Sequence, residues 1–380
     1  MLHETLPRYI IGCGSGTRGL VHRAGWLGDH MRSFLTTAVC VGGACLALSA
    51  SAQADFAISG YGEIGGGIGV AALSTSDTYC SGTTFPPLTC RSYGTSHVSS
   101  TPKDLVADLH VATMLNDVWQ LQLDAEANRD FVGQMSWPSN SDHTTKYGVG
   151  VHLDMLTEHD RLGGFVSVGN SDWTRYQNRL ASVGLEGEWF FGNTSLFSQY
   201  VFSHTISGDF SPSGLYSNFL DAGVRHFLTD NLMLETNVGA GLAESKADIR
   251  YSERSNHSAA ALKWGAKTEF RFEDFPISLA IAYRGTYNNW RRDTWGVLPP
   301  PPCSHGASSY FAASYPYRRT ENLFQVTLRY YLGQASLLTN DRTGAAMSDY
   351  NPWYGAEPQT EAIAGQGFYS LTTAPAAAYC

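Results

Sequence analysis

The sequence predicts an all-β fold, a transmembrane antiparallel up-and-down barrel of about twelve strands. Three observations predict it: hydropathy that alternates with period two, connections that alternate between short and long, and charge confined to one face of each strand. Composition agrees. Only 16% of the 380 residues are charged, against about 25% in an average soluble protein, while 39 are Gly, 20 Tyr, 18 Phe and 9 Trp. A mean hydropathy of −0.19 excludes a bundle of membrane helices. With 34 acidic and 25 basic residues the formal charge is −9, which argues against nucleic acid as a partner.

The first segment reads as an address. Met31–Ala54 carries Arg32, a short apolar core from Phe34 to Leu48, and an Ala52-Gln53-Ala54 site. That is the layout of a secretory signal cleaved before Asp55. Residues 1–30 precede a second start at Met31 and hold no clear pattern. Gly42-Gly43-Ala44 before Cys45 lacks the aliphatic residue of a lipoprotein signal. Removing residues 1–54 leaves 21 basic and 32 acidic residues, a charge of −11. Export permits disulfides. Cys80 and Cys90 bracket one loop and can pair, whereas Cys303 and Cys380 have no evident partner. No His or Cys stands two to four residues from Cys80 or Cys90, so metal-ligand spacing is absent there, and no cofactor is expected.

The strands follow in order at about 56–73, 104–115, 118–128, 146–156, 161–170, 179–191, 194–204, 216–228, 232–242, 257–272, 277–288 and 321–332. Trp119, Leu121, Leu123, Ala125 and Ala127 alternate with Gln120, Gln122, Asp124, Glu126 and Asn128, the apolar-out, polar-in rhythm of a barrel wall. Short turns stand at Asn116-Asp117, Thr157–Asp160, Gly192-Asn193, Thr229–Asn231 and Glu273–Pro276. Between them lie loops 74–103, 129–145, 171–178, 205–215, 243–256 and 289–320. Short periplasmic turns and long external loops have this asymmetry, and an even strand count returns both ends to the periplasm. Trp119, Trp189, Phe191, Phe270, Phe272 and Tyr330 mark one aromatic belt; Tyr147, Tyr287 and Phe324 mark the other.

The signal, the hairpin-linked strands and the closing strand Phe324–Leu332, FQVTLRYYL, resemble the Gram-negative outer-membrane β-barrel superfamily, its porin-like members in particular. The resemblance covers residues 55–332. It implies outer-membrane lipid and lipopolysaccharide as surroundings, insertion by the barrel assembly machinery, and small hydrophilic solutes as cargo. The sequence departs from the pattern because residues 333–380 follow the terminal strand. This tail is rich in Ala, Gly, Thr and Pro, lacks alternation, and is expected to be a partly disordered periplasmic extension.

Chemistry in a barrel belongs to its inner face. The inward acids are Glu63, Asp108, Asp124, Glu126, Asp154, Glu186, Glu188, Asp221, Glu235 and Glu269. The inward bases are Arg161, Arg225, Lys263, Lys267, Arg271, Arg284 and Arg329. Ten against seven leaves −3 and an expected weak cation preference. Acids crowd the first six strands and bases the last three, so the two are expected on different walls, incompletely paired. Twelve strands tilted about 40° give a backbone radius of roughly 12 Å. That size fits a narrow pore or a plugged interior; separated charges favour the pore. Loop 289–320, with Pro299–Pro302, Arg291, Arg292, Arg318 and Arg319, is a candidate constriction or an external surface.

Two rival functions are weighed. A lipid hydrolase needs Ser, His and an orienting polar group. His204, Ser207 and Asp209 lie close in sequence, but neighbouring strands offer no clear third group, so no enzyme is expected. His110 and His152 read as lumen hydrogen-bonders. A non-conducting anchor or adhesin acting through its loops is the alternative to a channel; an autotransporter is disfavoured because no passenger domain flanks the barrel.

Overall fold

The computed structural model describes residues 58–76, 78–82, 89–92, 95–131, 143–173, 176–208, 215–249, 253–298, 309–333 and 336–346. The signal segment, Pro299–Pro302, Cys303, Cys380 and Asp209 lie outside the described residues. β1 (Ile58–Thr75) is followed by three short strands, β2 (Thr78–Gly82), β3 (Thr89–Ser92) and β4 (Ser96–Ser100). Then come β5 (Lys103–Met114), β6 (Trp119–Phe131), β7 (His143–Leu156), β8 (Asp160–Trp173), β9 (Tyr176–Phe191) and β10 (Thr194–Gly208). The chain continues through β11 (Leu215–Thr229), β12 (Leu232–Ile249), β13 (Glu253–Arg271), β14 (Ile277–Leu298) and β15 (Ser309–Leu332).

β1 and β5–β15 pair in chain order, and β15 returns to β1, closing an antiparallel twelve-strand barrel. The seam pairs Ile64 with Leu328 and Ile68 with Phe324 on its outer face, and Glu63 with Arg329 on its inner face. Closure leaves no open edge among the long strands, so the backbone is satisfied even where lipid replaces water. Outward positions such as Ile64, Leu123, Val166, Leu185, Val238 and Val326 remain exposed, forming an apolar girdle. Trp119, Trp189, Phe270 and Tyr330 edge it at the short-turn end, Tyr147 and Phe324 at the other.

The strands run longer at the long-loop end than alternation predicts. β14 and β15 stay paired out to Leu298 and Ser309, so most of the expected loop 289–320 is hairpin rather than a constriction. The reason is physical: beyond the girdle both faces meet water, so alternation fades while the hydrogen-bond ladder continues. The first long loop is also structured. β2 joins the far part of β15, β4 joins β1, and β3 pairs with β2. A disulfide links Cys80 on β2 to Cys90 on β3.

After β15 the chain reverses at Gly333, whose φ of +76° is a left-handed conformation open to glycine. A side chain there would also strike the Ile58 carbonyl oxygen, 2.5 Å from an added Cβ. The turn sends residues 336–346 back onto the inner wall at the short-turn mouth. Its centre is a helix, α1 (Leu337–Thr343). The Ser336 hydroxyl caps it by accepting from the Thr339 amide at 3.0 Å, and Gly344 ends it by donating to the Asn340 carbonyl at 2.8 Å. The tail expected as a periplasmic extension thus begins with a docked element.

Candidate functional site

Helix α1 presents two faces. Leu337, Asn340 and Asp341 are buried, one turn apart as a helix requires. Leu337 and Ala345 pack with Tyr61, Ala112, Phe227, Met233 and Tyr331, which the short-turn ends of β1, β5, β11, β12 and β15 supply. An apolar floor inside a polar barrel is local, and it is what the helix covers.

Around that floor the contacts are polar. Asp341 accepts from the Ser195 hydroxyl at 2.5 Å and from Nη1 of Arg225 at 2.8 Å. Arg342 reaches outward to the Gly192 carbonyl at 2.7 Å and lies over the Phe190 ring at 4.3 Å. Burial lowers the Arg342 guanidinium from its ordinary value while Asp341 beside it works against that shift; it stays cationic. Gln120 donates to the Thr343 and Gly344 carbonyls, both at 3.2 Å, and Arg161 Nη2 donates to the Gly344 carbonyl at 2.7 Å. The Ala346 amide donates to Gln122 Oε1 at 2.8 Å, and the Leu338 amide to the Asp230 carbonyl at 3.0 Å. The bonds that involve Asp341, Arg161 or Arg342 are charge-assisted and contribute about 1.5–3 kcal/mol each, the neutral ones about 0.5–1.5 kcal/mol. Segment 336–346 is therefore a plug held by β6, β8, β10, β11 and the turns at Gly192 and Asp230.

Above the plug the inward charges pair. Glu188 accepts from Arg161 at 2.9 Å and Arg225 at 2.7 Å; Arg225 also reaches Glu235 at 2.8 Å, and Lys267 stands 3.5 Å from Glu235. Arg329 joins Glu63 across the seam and Glu269 at 2.9 Å. Lys263 meets Asp221 at 3.1 Å. Arg271 lies over the Tyr331 ring at 5.1 Å, and Arg284 stands in the field of Asp104. A second set is acidic. Asp124 lies between His110 at 3.0 Å and His152 at 2.7 Å; His152 also meets Glu186 at 2.6 Å, and Glu186 contacts Asp154. Asp108 and Glu126 face each other across β5 and β6.

This corrects the expected incomplete pairing of the bases, while Asp108, Asp124, Glu126, Asp154 and Glu186 stand together as an acidic set on β5–β9. Closure brings Arg329 on β15 opposite Glu63 on β1, and the other bases meet acids on the adjoining or next strand: Arg161 meets Glu188, Arg225 meets Glu235 and Glu188, Lys267 meets Glu235, and Lys263 meets Asp221. A desolvated charge is costly unless paired, so pairing prevails. Between Arg161, Glu188, Phe197, Gln199 and Ala346 a cavity of about 10 Å³ remains, roughly the room of one water.

The sequence reading places Asp341, Arg342, Ser195, Gln120 and Gln122 nowhere in a site. Ser336 and Gly344 do frame LLTNDRT as a capped turn of helix, a signal that a search for period two passes over. His204, one of the weighed hydrolase residues, faces outward and stacks on Tyr216 with centroids 4.4 Å apart.

No family model matches the chain, and no curated protein matches it. Solved structures similar to it are outer-membrane proteins. An outer membrane channel from Pseudomonas putida F1 is 11% identical over 68% of this chain and 96% of that one, with a TM-score of 0.39. The translocator domain of the autotransporter NalP from Neisseria meningitidis is 12% identical over 81% and 98%, with a TM-score of 0.34. A Pseudomonas aeruginosa FadL homologue is 9% identical over 74% and 91%, with a TM-score of 0.31. A closed twelve-strand barrel with an apolar girdle and a charged interior places this chain in the outer membrane of a Gram-negative cell.

Proposed function

We propose that the protein is an outer-membrane channel for passive diffusion of small hydrophilic solutes or ions, described here with its short-turn mouth closed by segment 336–346. One observation carries the reading. The obstruction at the mouth is a separate element that follows β15, and its removal breaks no strand pairing. What it would uncover is a charged interior that water and polar solutes can wet. The Met31–Ala54 signal and the Phe324–Leu332 strand support export and insertion by the barrel assembly machinery, with the short turns in the periplasm.

Planar-bilayer recording tests this. The full chain is expected to open rarely, and a chain ending at Gly333 to conduct in steps. Silence of both, with the truncated barrel shown folded by its gel mobility before and after heating, would overturn the channel reading. The second reading, a non-conducting anchor, would then stand, favoured by the dense ion pairing of Arg161, Arg225 and Arg329.

A further inference from the structure

The plug is held by a carboxylate in a place built for one. Asp341 is completely buried, and its contacts are the Ser195 hydroxyl at 2.5 Å, Arg225 Nη1 at 2.8 Å and its own neighbour Arg342 at 3.5 Å. The wall around it is bound together by ion pairs. Arg161 and Arg225 meet Glu188, Arg225 and Lys267 meet Glu235, and Asp341 adds its carboxylate at Arg225. Without Asp341, Arg225 keeps Glu188 and Glu235 but loses one acceptor of its Nη1 in a desolvated setting.

Donors are also left over. Among the described residues, Arg225 Nη2 and Arg161 Nε are buried without a hydrogen-bond acceptor. Asp341 therefore uses only one of the two terminal nitrogens of Arg225, where a guanidinium can grip a carboxylate with both. The neighbouring Arg161 spends Nη2 on the Gly344 carbonyl, a second plug acceptor. When the plug leaves, two buried guanidiniums each lose an oxygen, at one spot on the solute path.

We propose that Ser195, Arg225 and Arg161 form a carboxylate-binding site at the short-turn mouth, filled in cis by Asp341 and taken by a small carboxylic-acid solute when the plug withdraws. The solute's passage rests on the channel reading; the site itself does not. A ligand with a carboxylate for Arg225 and Ser195, and a second oxygen for Arg161, fits the vacated donors best.

The test measures succinate binding by calorimetry to the full chain reconstituted in lipid nanodiscs. Wild type, Asp341→Ala and Asp341→Ala/Arg225→Gln are compared, with neutral succinamide as the control. Asp341→Ala is expected to bind succinate at least about tenfold more tightly than wild type, since charge-assisted pairing is what it frees. Succinamide is expected not to bind, and Arg225→Gln to abolish the gain. Equal succinate binding by wild type and Asp341→Ala, or a gain that survives Arg225→Gln, overturns the site. Should Asp341→Ala not fold, Asp341→Asn keeps the side-chain volume and is held to the same comparison. Bilayer recording of the chain ending at Gly333, whose short-turn mouth is open, separates the two ideas. Conductance that succinate never blocks overturns the site and keeps the channel. Succinate binding by a silent protein keeps the site and overturns the channel.

Discussion

Arg329→Met is expected to destabilise the barrel by about 3–5 kcal/mol, the cost of removing one partner from a buried ion pair. Arg329 is buried on the inner face of β15, bonded to Glu63 on β1 and to Glu269 at 2.9 Å, with its guanidinium 4.7 Å over the Tyr61 ring. Methionine keeps most of the volume and removes the charge. The two carboxylates then fare differently. Glu269 still accepts from Ser278 at 2.5 Å and Tyr331 at 2.6 Å. Glu63 has no other ion pair among the described residues, so it bears most of the penalty. Adding Glu63→Gln removes the stranded charge and should return stability to within about 1 kcal/mol of wild type, because replacing both partners is often neutral. The assay is urea unfolding from lipid vesicles followed by tryptophan fluorescence. The midpoint should fall in the single variant and recover in the double, with the slope unchanged. A single variant within about 1 kcal/mol of wild type, or a double as unstable as the single, would refute the claim that this pair secures the seam.

Three other outcomes are expected. Gly333→Ala forces a left-handed residue and a clash with Ile58, a cost of about 1–3 kcal/mol that falls on the plug. Trypsin cleavage after Arg342 should accelerate while barrel unfolding is unchanged, and unaltered cleavage would count against this. Val326→Arg, at an outward position 51% exposed, should lose about 2–4 kcal/mol if it lies at mid-membrane; an unmoved urea midpoint would mean lipid does not touch it. Reducing Cys80–Cys90 should leave the barrel midpoint in place, since β2 and β3 add only to the far part of β15; a clear drop would show that the flap supports the wall.

The barrel wall was legible because lipid imposes the same rule at every outward position. Trp119, Leu121 and Leu123 facing out, with Gln120 and Gln122 between them, record it directly. The rule lapses where lipid ends, which is why Asn289, Arg291 and Arg292 read as loop although they continue β14. The inward direction of Glu63, Glu188, Lys267 and Arg329 follows from the same alternation. Their partners do not, because they depend on register, which sets Arg161 opposite Glu188 and Lys267 opposite Glu235, and on closure of β15 onto β1, which sets Arg329 opposite Glu63. The plug was hidden for a different reason. Seven helical residues carry too little periodicity to stand out, and Asp341 looks like an ordinary polar tail residue until Arg225 is placed beside it.

The position of the plug in the chain sets an order of assembly. Its seat is shared among β1, β6, β8, β10, β11 and β15, strands that are brought around one mouth only when the seam joins. Before that moment Tyr61 and Ala112 on β1 and β5 are not joined to Tyr331 on β15, so the apolar floor under Leu337 is incomplete. At seven residues α1 is also too short to hold a helix alone. Docking of the segment is consequently a chemical signature of completed closure. A chain whose last strand has mispaired lacks the complete seat on which α1 folds.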